Sequence, residues 1–342
     1  MLDGSCCPAS LEVSISDRRG LAVGCNLRVM YSLIIPVYKN QETILPLLST
    51  VEDINVALGH TLEAIFVVDG SPDASYGRLR QQLPGRRFSA QLIALSRNFG
   101  SFSAIRTGLS LGHGPYFAVM TADLQEPPQL ILDFFAALRE GDVDVVVGTR
   151  VKRDDPALIK LSSGLFWGIY RRLVDHEMPT SGVDVFGCNA TVRDTLVSLG
   201  EANTSLIGLL FWLGFRRRLI SYNRVCRPIG RSGWTFAKRV RYALDTLFSF
   251  TDLPIMLLTI MGAAGIGITA LIVSIMLAVW LAVGILASGY AWIIVSMLLS
   301  TSVILFALGL IGGYMWRAFE NTKERPTSVV MHREIFHQVV EE

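Results

Sequence analysis

The chain has 342 residues, and its 31 Lys and Arg against 29 Asp and Glu give a formal net charge of +2, which makes no case for a nucleic-acid partner. Hydrophobic residues make up 51% and charged residues 18%, with a mean hydropathy of +0.44. That is too apolar for an ordinary soluble protein and points to membrane segments. The five cysteines (Cys6, Cys7, Cys25, Cys188 and Cys226) follow no metal-ligand spacing and suit free thiols in a reducing cytosol.

Residues 1–29 show no basic run leading into an apolar core, so no signal peptide is expected there, and they read as a loosely attached extension. Tyr31-Ser-Leu-Ile-Ile-Pro-Val reads as a buried strand stopping at Pro36, followed by helical spacing over 43–58. Glu63-Ala-Ile-Phe-Val-Val-Asp is a second apolar strand, ending at the turn Asp69-Gly70-Ser71-Pro72. Gln91-Leu-Ile-Ala-Leu is a third, with a helix near 101–111. Tyr116-Phe-Ala-Val-Met is a fourth, with a helix over 128–139, and Val143-Asp-Val-Val-Val-Gly is a fifth. Continuous apolar strands alternating with amphipathic helices predict an α/β domain over 30–230, built on a mostly parallel sheet.

From Leu253 to Trp316 there is no Asp, Glu, Lys, Arg or His. About 20 apolar residues cross a bilayer as a helix, so 253–316 is expected to form a two-helix transmembrane hairpin turning near Ala287-Ser288-Gly289-Tyr290. Arg231, Lys238, Arg239 and Arg241 precede it, and Arg317, Lys323 and Arg325 follow it. This bias places both ends, and the domain, on the cytosolic side of the inner membrane, as a multi-pass protein. The segment 231–252 mixes basic residues with Trp234, Phe236, Tyr242, Leu244, Leu247 and Phe248, and reads as an amphipathic helix on the bilayer. Residues 317–342 read as a cytosolic tail.

Ligands in such sheets bind beyond the carboxyl ends of the strands. Tyr38, Asp69 with Ser71, Arg97 with Asn98, Asp123 with Gln125, and Arg150 all fall there, on one expected rim. In Thr121-Ala-Asp123-Leu-Gln125-Glu126-Pro127-Pro128, a carboxylate and, two residues on, a carbonyl oxygen face one side of an extended segment. Those oxygens suit Mg²⁺ or Mn²⁺ bridging a diphosphate. Read alone, the same segment is also an acidic helix start, and Asp69 to Asp73 is also an ordinary turn. His60, His113 and His176 are isolated and take no ligand role.

Four rows carry a resemblance: Ile35-Pro36-Val37-Tyr38-Lys39-Asn40, Val68-Asp69-Gly70-Ser71-Pro72-Asp73, Ser96-Arg97-Asn98-Phe99-Gly100 and Asp123-Leu124-Gln125-Glu126-Pro127-Pro128. Later rows extend it: Ser181-Gly182-Val183-Asp184, Trp212-Leu213-Gly214-Phe215 and Arg227-Pro-Ile-Gly230-Arg231-Ser232-Gly233-Trp234. In this order they resemble family-2 glycosyltransferases, in the polyisoprenyl-phosphate branch that includes dolichol-phosphate mannose synthase and the bactoprenol glucosyltransferases.

The resemblance implies a Rossmann-like fold of the GT-A type that binds a nucleotide-sugar. By matching position, Pro36, Tyr38, Asp69, Ser71, Arg97, Asn98, Gln125 and Arg150 would hold the donor. Asp123 and Gln125 would reach a divalent ion, and Asp123, Asp184 and Arg227 would act at the reacting centre. Lys160, Ser163 and Arg231 would meet the acceptor phosphate. The implied reaction is inverting transfer of a hexose, with glucose favoured, from a UDP-sugar or else a GDP-sugar. The acceptor would be undecaprenyl or dolichyl phosphate, and self-association is an open expectation. Two positions depart from the family pattern: Val68 and Thr121 each stand where an acid is usual, which is expected to weaken metal binding. A processive polysaccharide synthase would carry a Gln-x-x-Arg-Trp motif and more crossings, neither of which occurs here. A nucleotide-sugar-binding membrane protein without turnover is the other alternative.

Overall fold

The computed structural model describes residues 29–150, 183–200, 205–225, 290–323 and 325–339, with isolated positions between 260 and 282. The strands are β1 (Tyr31–Val37), β2 (Leu62–Val68), β3 (Ser89–Leu95), β4 (Tyr116–Val119), β5 (Val145–Arg150), β6 (Val183–Asn189), β7 (Arg217–Tyr222) and β8 (Val330–Phe336). The helices are α1 (Ile44–Ala57), α2 (Ser75–Gln82), α3 (Ser101–Leu111), α4 (Pro128–Glu140), α5 (Ala190–Ser198), α6 (Leu206–Trp212) and α7 (Tyr290–Thr322).

The strands form one sheet in the order β7-β5-β6-β4-β1-β2-β3-β8. β1 pairs in parallel with β2 and β4, β2 with β3, and β5 with β7. β6 runs antiparallel to β4 and β5, and β8 runs antiparallel to β3. Six strands therefore share one direction, as the apolar runs predicted, and two oppose them, so the sheet is mixed. Every residue of β2 is buried, because helices cover both faces. Leu47, Leu48, Leu79, Phe134 and Phe135 fill one face, and Ile105, Leu109, Val192, Leu196 and Phe211 the other.

Local chemistry sets the element boundaries. Pro128 occupies the first turn of α4, and Gly141 closes that helix with φ +81°, a left-handed conformation that side chains resist. The Asn189 and Ser205 side chains accept backbone N–H groups to start α5 and α6. β1 does not stop at Pro36 but continues to Val37. The β4 ladder ends at the Ile34–Val119 pair, so the N–H that proline lacks lies beyond the last β4 partner.

The segment expected as a tail also has structure. α7 runs through Trp316 to Thr322, and β8 then returns to pair with β3. Among the described residues no helix is both long and apolar enough to cross a membrane. Side chains along much of α7, and most of 253–289, lie outside the described residues, so the two-helix hairpin rests on the sequence. The segment 231–252 also lies outside them.

Candidate functional site

β1 has β2 and then β3 on one side and β4 on the other, so the chain reverses its direction of sheet growth between β1 and β4. Such switch points open a crevice beyond the strand ends. β2 and β4 flank β1, so their carboxyl ends stand about 10 Å apart, two interstrand spacings. Asp69 follows β2 and Asp123 lies just beyond β4, which puts both carboxylates on the rim of that crevice.

Asp69 is only 3% exposed, and its two oxygens accept the backbone N–H groups of Phe99 at 2.7 Å and Gly100 at 2.8 Å. Burial pushes its carboxyl above the ordinary value, against those two hydrogen bonds. Gly70 takes φ +54°, and a Cβ there would lie 2.3 Å from the Arg97 carbonyl carbon. The β2 and β3 loops are thus locked together, with Arg97 stacked over Phe99 at 4.7 Å. On the β1 side, the Lys39 N–H donates to Ser71 Oγ at 2.8 Å, and the Ser71 hydroxyl donates to Asp73 at 2.6 Å. Burial acts to raise Asp73, but hydrogen bonds from Ser71, Ser75 and the Gln41 N–H outweigh it and hold the carboxyl low. Tyr38, 38% exposed, stands at the mouth beside a cavity of about 330 Å³ lined by Lys39, Gln41, Thr43 and Pro72.

The Thr43 hydroxyl ties this loop to the β4 loop by donating to the Ala122 carbonyl at 2.8 Å. There Thr121 Oγ1 lies 2.5 Å from Asp123 Oδ1 and 2.5 Å from Glu126 Oε2. Glu126 is 2% exposed, and its Oε1 is buried with no hydrogen-bond partner. Burial drives its carboxyl upward, the Thr121 hydrogen bond opposes that, and nearby Asp123 adds to the rise. The Gln125 carbonyl oxygens are both engaged: the backbone O accepts from Val225 N at 3.0 Å, and Oε1 accepts from the Arg224 guanidinium. Burial also raises the Tyr222 hydroxyl, Glu126 adds to that, and Arg150 at the end of β5 works against it.

Among the described residues no group of three or more His, Cys, Asp or Glu gathers into a metal cage. A magnesium-type ion needs only one or two carboxylates, with waters and substrate phosphates completing its shell. Asp123 and the buried Glu126 Oε1, which has no hydrogen-bond partner, offer carboxylate oxygens on one loop beside the Arg224 guanidinium, a donor set that fits such an ion. Gln125 fits less simply, since Arg224 already occupies its side-chain oxygen.

Pro36, Tyr38, Asp69, Ser71, Arg97, Asn98, Asp123, Gln125 and Arg150 thus all lie at one end of the sheet, as expected. Asp184 lies at the start of β6, next to Val183, which pairs with Thr149, and so at the same end, but its side chain is outside the described residues. Lys160, Ser163, Arg227 and Arg231 also fall outside them. Sequence reasoning missed Glu126 as a buried group, along with Arg224 and Tyr222. The signal available was Arg224 just ahead of the basic row that begins at Arg227. His113 pairs with buried Glu63 at 3.0 Å at the opposite, amino end of the strands, and His60 meets Asn55, so both serve the framework.

A family profile described as glycosyl transferase family 2 matches residues 32–199. The uncharacterised glycosyltransferase YkcC of Bacillus subtilis is 30% identical over 304 residues, covering 88% of this chain and 93% of its own. The uncharacterised glycosyltransferase sll0501 of Synechocystis is 29% identical over 305 residues, covering 89% and 95%. The bactoprenol glucosyl transferase of Shigella phage SfV is 26% identical over 300 residues, covering 87% and 97%. Among solved structures, mannosyl-3-phosphoglycerate synthase from Rubrobacter xylanophilus matches with a TM-score of 0.46 at 17% identity, over 64% of this chain and 71% of that one.

Proposed function

Since the chain belongs to glycosyl transferase family 2, we propose that it moves a hexose, glucose in the first instance, from a nucleotide-sugar onto a polyisoprenyl phosphate at the cytoplasmic membrane face. The observation that carries the reading is the crevice at the switch point, with the Asp69 loop on one side of β1 and the Asp123 loop on the other. A relative named bactoprenol glucosyl transferase, aligned over 97% of its length, supports the lipid acceptor and the sugar. The charge-free stretch between Leu253 and Trp316, with basic residues at both flanks, supports a multi-pass anchor with the catalytic domain in the cytosol. A UDP-sugar is the favoured donor, with a GDP-sugar second.

In this reading the Asp69–Phe99–Gly100 lock and the Ser71–Lys39 bond hold the two walls that receive the nucleotide. Tyr38 offers its ring at the mouth. Asp123, with Glu126 beside it and Gln125 if Arg224 releases it, would hold a Mg²⁺ or Mn²⁺ ion, which supplies positive charge to a leaving diphosphate. Arg150 and Arg224, both near Tyr222, and Arg224 near Glu126 as well, add fixed positive potential to the same corner, where charge develops as the glycosidic bond breaks. A phosphate monoester acceptor is already ionised near pH 7, with a second pKa of about 6. No strong base is required, and Asp184 orients groups instead of abstracting a proton. Displacement from the face opposite the leaving group inverts the anomeric centre. Arg227, Lys160, Ser163 and Arg231 are proposed at the donor and acceptor phosphates from their positions in the sequence.

The test is to incubate the detergent-purified chain with polyprenyl phosphate and a panel of labelled nucleotide-sugars. A labelled lipid carrying one hexose supports the proposal, labelled polymer points to a processive synthase, and donor binding without product points to an inactive relative. Asp123→Ala is expected to abolish transfer while leaving membrane extraction behaviour unchanged. Near-normal turnover of that variant would overturn the donor-site assignment.

A further inference from the structure

A second cleft, of about 650 Å³, lies away from the donor crevice, where α3 and the end of α5 meet the connection from α7 to β8. That size is within the range of small-molecule sites. Its wall carries two arginines, Arg106 and Arg325, with Asn321 and Thr327 beside them, while the Ser110 hydroxyl already donates to the Thr107 carbonyl at 2.8 Å. The framework of the wall is fixed. The Thr107 and Ser328 hydroxyls are hydrogen-bonded at 2.6 Å, and Arg106 donates to the Val197 carbonyl at 3.3 Å. Two arginines facing one cleft form a surface for an anion with several oxygens, and guanidinium groups suit phosphate in particular.

What brings such an anion there follows from α7. Ile311, Met315, Trp316 and Phe319 on that helix are each more than half exposed, an apolar strip leading towards the cleft. At its end Lys323 Nζ sits 5.1 Å from the Trp316 ring and 4.4 Å from the Phe319 ring. Aromatic rings beside a lysine are the usual furniture of the headgroup layer. Asn321 follows Trp316 by about 8 Å along the helix axis, and Arg325 lies just beyond the helix end at Thr322.

We propose that this cleft binds the phosphate of an anionic phospholipid, whose acyl chains lie along the exposed strip of α7. The proposal rests on the membrane-anchored reading above. A zwitterionic headgroup is the poorer ligand, because its ammonium would be brought beside the Arg106 and Arg325 cations. The Arg325 side chain is exposed, so the cleft can be altered there without disturbing the sheet.

The experiment is thermal unfolding of the full chain in mild detergent with short-chain phosphatidylglycerol, short-chain phosphatidylcholine or inorganic phosphate at equal concentration. Phosphatidylglycerol is expected to raise Tm by about 3 °C or more, the other two by less than a third of that. Arg325→Glu is expected to remove the difference while leaving transfer activity in phosphatidylcholine bilayers unchanged. Equal shifts from both lipids, a shift that survives Arg325→Glu, or an inorganic phosphate shift matching the lipid (a free-anion site) would each overturn the proposal. Carbonate extraction of wild-type membranes scores the anchor separately. Chain in the supernatant overturns both readings, whereas chain in the pellet with no headgroup preference overturns the cleft alone.

Discussion

Glu334 of β8 accepts a hydrogen bond from the Tyr76 hydroxyl at 2.6 Å, joining α2 to a strand 258 positions further along the chain. Arg80 adds a second bond to the same carboxylate at 3.0 Å. α2 begins two residues after Asp73, so the C-terminal strand braces the element that follows the proposed nucleotide loop.

Glu334→Gln weakens that brace. Hydrogen bonds to a charged group are worth about 1.5–3 kcal/mol when well made, and partial exposure here argues for roughly 1 kcal/mol. The Tyr76 hydrogen bond, ahead of the Arg80 contacts, holds the Glu334 carboxyl below its ordinary 4.5. A lowered acid contributes its full stabilisation above 4.5 and loses it as pH falls through the lowered folded value. The gap in Tm between wild type and Glu334→Gln is therefore expected to be open at pH 7 and to close progressively below about pH 4.5.

Asp69→Asn replaces one of two accepting oxygens with an NH₂ group facing a backbone N–H. Leaving a buried donor unsatisfied costs about 1–3 kcal/mol, so nucleotide affinity measured by calorimetry is expected to fall about 10–100-fold. Burial raises the Asp69 carboxyl, so the wild-type charge there is a liability that grows as pH rises from 3.8 through the higher folded value. The variant lacks that penalty. Unchanged nucleotide affinity would show that the lock between the β2 and β3 loops does not shape the site.

Gly70→Ala tests the same lock by sterics alone. The new Cβ would meet backbone atoms of Arg97 and Asn98 within 2.4 Å, and no rotamer relieves a backbone clash. Added to the left-handed φ of +54°, this is expected to cost about 2–4 kcal/mol in chemical unfolding, unless the Arg97–Gly100 loop moves. Loop movement would appear instead as lost donor binding at preserved stability.

Thr121→Val removes the hydroxyl between Asp123 and Glu126. Two carboxylates then face each other with no bridging proton, and stability at pH 7 is expected to drop by about 1–3 kcal/mol. Added Mn²⁺ is expected to recover part of the loss if an ion sits between them, which a thermal melt with and without metal measures directly.

The donor rim was legible because each piece of it is local. An apolar strand followed by Asp69, or by Asp123, states its own position, and the parallel arrangement supplies the rest. What escaped were relations with no local trace. Val330–Phe336 is a mostly exposed edge strand without clean alternation, so only its pairing with β3 identifies it. Glu126 read as a helix-start acid because nothing in Glu-Pro-Pro announces that Thr121 folds back onto it. Arg224 was passed over because its partner, Gln125, lies 99 positions away.

β8 also dictates an order of assembly. Among the described strands, β1 to β7 are encoded before the apolar stretch and β8 after it, so during synthesis β3 waits with an open edge until residue 336 has left the ribosome. An unpaired edge invites pairing with other chains. A frameshift or proteolytic cut between residues 316 and 336 that removes β8 therefore does more than shorten a terminus: it leaves a chain with its central helices packed and one side of its sheet adhesive.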